Sequence, residues 1–162
     1  TARAADLAGA LSSADLVHVA AHGSHRSDSP LFSSVWLGDG PTFLTDLERA
    51  GRAASHVVVS ACDGAAGTTP GAGGTGAGAT LGVASGLIAL GVGSVVASPC
   101  RVPDVTAAEL MPRYHRLLAA GVEVDEALAE AVAASDLPLA GAFVAWGSPW
   151  VAVPEVGSPV PH

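Results

Sequence analysis

Two side chains in this sequence have the types and positions that nucleophilic chemistry needs: Cys62 and His22. Each closes a short apolar run, Asp15-Leu16-Val17-His18-Val19-Ala20-Ala21 before His22 and His56-Val57-Val58-Val59-Ser60-Ala61 before Cys62. Runs this short, apolar on both faces, suit strands of a buried parallel sheet, where reactive groups gather in the crevice at the carboxyl ends. Consecutive strands are usually neighbours, so both side chains are expected in one crevice. A free thiol ionises near pH ~8.5 and needs a base to act at neutral pH, which an imidazole supplies. Gly23 leaves its backbone N–H open to close approach, and with the N–H of Cys62 it makes two donors for the oxyanion of a thioester-forming step. Gly64 lets the chain turn away beyond the thiol. Position alone also admits a plainer reading, in which Cys62 is a small buried hydrophobe and His22 a satisfied polar group at a strand end.

The elements that must position this pair follow from the rest of the pattern. A third apolar run, Ser94 to Ser98, ends in Pro99-Cys100, and a fourth spans Ala142 to Trp146. Leu7 to Ser12 reads as the end of a helix. Thr45 is expected to cap a short helix through Arg49, with Glu48 completing a capping box. Ala79 to Leu90 reads as a helix of small residues ended by Gly91. Asp104 is expected to cap a helix towards Ala120, closed by Gly121 and kinked or restarted at Pro112. Val122 to Ala134 forms another, with Val124, Leu128 and Ala131 on one face. Residues 31–41 suggest a hairpin with Gly38-Asp39-Gly40 as its turn. The alternation predicts an α/β domain with a mostly parallel sheet and right-handed crossovers. Residues 1–152 are expected to form that domain, with a loose Pro- and Gly-rich tail over 153–162. The long Gly/Ala/Thr segment from Gly64 to Gly78 is of the kind that is usually functional or mobile.

Composition narrows the partners. The 162 residues suit one domain, 49% hydrophobic and 14% charged, so the composition is not that of a disordered chain. There is no lysine, and the net charge of −8 leaves no basic stripe for a nucleic acid backbone. Two cysteines are too few for a disulfide framework, and reduced thiols point to the cytoplasm. No signal peptide opens the sequence, which starts at Thr1 and is expected to be a piece of something longer. The uncharged stretch from Gly64 to Pro99 is too diluted by Gly, Ala, Ser and Thr for a membrane span, and a buried helix followed by a buried strand explains it better. His25 beside His22 hints at a zinc pair with Cys62, but no third or fourth ligand converges, so no metal and no cofactor are expected.

Val17-His18-Val19-Ala20-Ala21-His22-Gly23 and Ser60-Ala61-Cys62-Asp63 resemble the paired His-Gly and Ser-Ala-Cys motifs of the CHAT domain, the bacterial branch of the caspase and separase group. Further stretches fall in order at family-like spacing: Gly91 to Ser98, Val102-Pro103-Asp104, Leu110-Met111 with Tyr114, Gly121 with Ala127-Leu128, and Ala142-Phe143 with Gly147. The resemblance covers roughly residues 14–147. It implies a caspase-like three-layer α/β/α fold lacking its first strands, and the C-terminal catalytic part of a larger protein whose relatives carry helical repeats. It also implies a cysteine endopeptidase acting on protein or peptide substrates, with His22 as general base, Cys62 as nucleophile, and Gly23 and Cys62 amides as oxyanion hole. His18 is then structural, and His56, His115 and His162 read as surface or strand-end residues.

The sequence departs from the family at the substrate side. Pro99-Cys100 stands where Leu-Trp is common, and Ala77-Gly78-Ala79 where an acidic residue is often found. Asp63, Ser98, Pro99 and Cys100 are the remaining candidates for substrate contact, with the peptide extended beside Ser94–Ser98 as an added strand. Asp63 as a solvated cap and Cys100 as an inert core thiol are the plainer readings. The departures also motivate a second function, a catalytically silent caspase-like module for interaction or regulation.

Overall fold

The computed structural model describes residues 1–24, 34–47, 53–60, 77–100 and 102–152, with only the backbone of 22–24 and 77–81. Cys62, Asp63 and the segment around them, Arg49, His25 and the tail from 153 lie outside the described residues.

The order of elements is α1 (Ala4–Ser13), β1 (Leu16–Val19), β2 (His22–Ser24), β3 (Ser34–Leu37), β4 (Gly40–Phe43), α2 (Leu44–Leu47) and β5 (His56–Val59). There follow α3 (Ala77–Ala89), β6 (Ser94–Ala97), α4 (Asp104–Ala119), α5 (Val124–Ala133), a 3-10 turn (Ala140–Ala142) and β7 (Val144–Gly147). One sheet runs β1-β5-β6-β7, and a smaller antiparallel sheet runs β2-β3-β4. In the larger sheet β1, β5 and β6 are parallel, and β7 closes the edge antiparallel to β6.

The β-branched runs make the centre of the sheet. Every residue of β5 and β6 is buried, as strands covered on both faces must be. Alternate side chains feed two cores. Val17, Val57, Val59 and Val95 join Leu7, Leu11 and α3 residues Val83, Ala84 and Leu87 on one face. Val58 and Val96 join Leu110, Tyr114 and Leu118 of α4 and Ala127 of α5 on the other. Helices on both faces of a mostly parallel sheet make the expected three-layer α/β fold.

Several boundaries differ from expectation, each for a local reason. His22 does not end the first strand. β1 stops at Val19, and after Ala20-Ala21 the chain leaves the parallel ladder and enters the second sheet, where His22 pairs with Trp36. The hairpin is where the Gly38-Asp39 turn puts it, over Ser34–Leu37 and Gly40–Phe43. α2 starts one residue before Thr45, and Asp46, not Thr45, serves its start by accepting the Phe43 N–H at 3.3 Å. α4 passes unbroken through Pro112. The proline removes one helical bond on an exposed side of the helix, where water can satisfy the freed carbonyl. Gly91 and Gly121 follow α3 and α4 at φ +95° and +83°, the left-handed region that suits glycine after a helix.

β7 starts at Val144 and ends at Gly147, which sits at φ +99° opposite Ser94. A Cβ there would run into the carbonyl oxygen of Gly93. That carbonyl also accepts the Ser148 N–H at 2.8 Å. Gly147→Ala is therefore expected to destabilise the fold by about 2 kcal/mol or more, from left-handed backbone strain and displacement of β7. Urea unfolding would show it as a lower midpoint, and an unchanged midpoint would contradict this packing.

Candidate active site

The register of the parallel ladder decides what meets at the carboxyl ends of the strands. Val19 is the partner of Val59, and Val59 of Ala97. The Ser60 N–H extends the ladder one step, donating to the Val19 carbonyl at 3.0 Å. In the sequence His22, Cys62 and Cys100 each follow one of these register-matched ends by three residues, and the strands that precede them, β1, β5 and β6, are neighbours about 4.8 Å apart. β5 lies between β1 and β6, so the chain leading to Cys62 is flanked by the chains leading to His22 and to Cys100. His22 and Gly23 are the first two residues of β2, backbone-paired to Trp36 and Val35.

Beyond β6 the chain is held in a tight turn. The Ser98 hydroxyl, buried, donates to the Cys100 carbonyl at 2.9 Å and accepts the Cys100 N–H at 3.3 Å. Cys100 is a half-buried free thiol. β6 itself is paired on both edges over Ser94–Ala97. A peptide therefore cannot add as a strand along Ser94–Ala97, because both rows of backbone groups are taken.

A polar chain that the sequence does not announce runs across the carboxyl end of β1. His18 Nε2 is 2.7 Å from Ser60 Oγ, and His18 Nδ1 is 2.9 Å from Nε2 of His115 on α4. Loss of surrounding water, and then the neighbouring His115, hold the His18 pKa below the ordinary imidazole value. Burial lowers that of His115 as well. Both rings are therefore neutral at pH 7. His18 and Ser60 also line a cleft of about 330 Å³ whose other wall is Asp104, Ala107, Met111 and Pro112 of α4.

The other histidine of interest is at the opposite end of the sheet. His56 opens β5, as a strand-end residue should, yet it is 0% exposed and not on the surface. Its Nδ1 is 3.1 Å from Ser94 Oγ, its Nε2 is 2.9 Å from Tyr114 OH, and its ring stacks on Trp150. Burial lowers its pKa to about 4, and the same burial raises that of the Tyr114 phenol. This cluster joins β5, β6 and α4 at the amino end of the strands, opposite the carboxyl end that His18 and Ser60 occupy.

Trp36 is a further residue that the sequence reading passed over. It is 52% exposed, and its register partners are His22 and Pro41. With Phe43, also exposed, it makes an apolar face on the small sheet that carries His22. Nothing in Ser34-Val35-Trp36-Leu37 marks it, since the run does not alternate between polar and apolar residues. No group of three or more His, Cys, Asp or Glu side chains among the described residues is arranged to hold a metal ion. No helix among them is long and apolar enough to cross a membrane.

A mostly parallel four-stranded sheet with helices on both faces is consistent with the α/β fold of caspase-like, protease-related proteins. The CHAT domain model matches residues 1–136, and the chain belongs to the CHAT family. No curated protein matches the sequence.

Proposed function

We propose that the chain is the catalytic domain of a cysteine endopeptidase in which Cys62 is the nucleophile and His22 the general base. The observation that supports this most is the register at the sheet edge: the segments bearing His22 and Cys62 leave adjacent parallel strands at matched positions. In the first step His22 takes the thiol proton and the thiolate attacks the carbonyl carbon of the scissile peptide. The oxyanion rests on the N–H groups of Gly23 and Cys62. The protonated His22 then gives its proton to the departing amide nitrogen, leaving a thioester on Cys62. Water, deprotonated by His22, attacks the thioester, and the thiol and a new carboxylate are released.

The substrate on this reading is a protein or peptide segment that passes the turn at Ser98, Pro99 and Cys100, with Asp63 as the acidic group nearest the nucleophile. Trp36, Pro41 and Phe43 offer it apolar contact beside His22. The partners are such substrates and the remaining regions of a larger, cytoplasmic protein. No metal or cofactor enters the mechanism. Incubation with a mixed peptide library, followed by mapping of new amino termini, tests the proposal. It predicts cuts that vanish in Cys62→Ala. No cut at all from the wild-type chain would favour the silent interaction module instead.

A further inference from the structure

The Ser60–His18–His115 chain has no part in the chemistry just described, and its placement is specific. Ser60 is the last described residue before the segment of Cys62, and His18 lies four residues before His22. His18 is the register partner of Val58, so Ser60, two residues further along β5, lies diagonally across from it on the same face of the sheet. The backbone ladder already pairs β1 with β5 up to the Ser60 N–H. The side-chain bridge adds a second tie where the two strands give way to the segments of His22 and Cys62, and His115 braces it against α4. An apolar side chain at position 18 would have met the Ala107 and Met111 wall of the cleft, so strand packing alone does not call for an imidazole there.

Two neutral imidazoles in series make an unbroken line of donors and acceptors. Either His115 Nε2–H donates to His18 and His18 Nε2–H to Ser60, or every bond runs the other way. The line breaks only when both rings are protonated, because both facing nitrogens then carry hydrogen. The titratable groups that face it are Asp104 across the cleft, Asp15 near His115, and Tyr114 and His56 behind the His115 ring.

We propose that Ser60, His18 and His115 are positioning residues that set the separation of Cys62 and His22 by tying β5 to β1 and both to α4. This rests on the peptidase reading above. Small displacements of reacting groups cost large factors in rate, so the effect should reach the nucleophile.

The test is the rate of iodoacetamide alkylation of Cys62 in the full chain as a function of pH. Ser60→Ala and His18→Phe are expected to slow alkylation at pH 7.5 roughly tenfold and to raise its midpoint towards the ~8.5 of a free thiol. Ser60→Thr, which keeps the hydroxyl, is expected to restore both. A merely supportive role for these side chains would leave the midpoint where it is in the wild type. A depressed wild-type midpoint that is lost in His22→Ala yet kept in Ser60→Ala and His18→Phe would overturn this inference alone. A wild-type midpoint near 8.5 would overturn the peptidase reading and this inference together.

Discussion

Cys62→Ala is expected to abolish peptide-bond cleavage, with a loss of at least ~10⁴-fold, because the proposed mechanism forms its acyl intermediate on this thiol. Cys100 does not substitute for it. It follows β6 at the equivalent offset, but β5 lies between β6 and the strand that leads to His22. The Ser98 hydroxyl also holds Cys100 in a turn of its own, with the two side-chain atoms 3.7 Å apart. His22→Ala should be less severe than Cys62→Ala, since a thiol retains a small thiolate fraction at pH 7 without a base. Cleavage by Cys62→Ala at the wild-type rate would remove the thiol from the mechanism. Loss of cleavage with unchanged urea unfolding would locate the defect in chemistry rather than in folding.

Acid should weaken the fold through His56. Its pKa of about 4 in the folded chain lies below the ~6.5 of an unfolded imidazole. Between those values the unfolded chain binds a proton that the folded chain refuses. Stability from this site is therefore complete above about pH 6.5 and falls as the pH drops towards 4, by about 3 kcal/mol in all. The physical cause is the fully buried ring, bonded to Ser94 and Tyr114 and stacked on Trp150, with no carboxylate among these partners to stabilise an imidazolium. His56→Gln removes the titration while keeping polar atoms near Ser94 and Tyr114. It should lower stability at pH 7.5 and lose less on acidification, so the wild-type and variant curves converge as the pH falls. Urea unfolding at a series of pH values measures this, and parallel curves for the two proteins would contradict it.

Much of the fold was legible because single residues carried it. The runs Val57-Val58-Val59 and Ser94-Val95-Val96-Ala97 have no polar face to expose, and they form the two central strands. Gly91 and Gly121 end helices, as their freedom at positive φ allows, and Val124, Leu128 and Ala131 make the buried stripe of α5. The sheet switch after Val19 was not legible. Ala20 and Ala21 continue the apolar run, and only the pairing of His22 with Trp36 shows that the chain has changed partners. Nor did the sequence show that β7 would cover the second edge of β6, since strand order is a long-range property. His18 read as structural, and His56 and His115 as surface or strand-end residues, but their partners were not legible, because these bonds join residues 42 to 97 positions apart in the sequence. The pairing of β1 with β5 was the exception: two short apolar runs were enough to make them parallel neighbours, although His22 itself enters the second sheet.

The action of His22 on Cys62 is read most directly from the pH dependence of iodoacetamide alkylation at that thiol, followed by mass spectrometry with Cys100 as internal reference. Cys62 is expected to show a midpoint well below the ~8.5 of a free thiol, rising to that range in His22→Ala while Cys100 stays unchanged. Equal midpoints for Cys62 and Cys100, unaffected by His22→Ala, would contradict it.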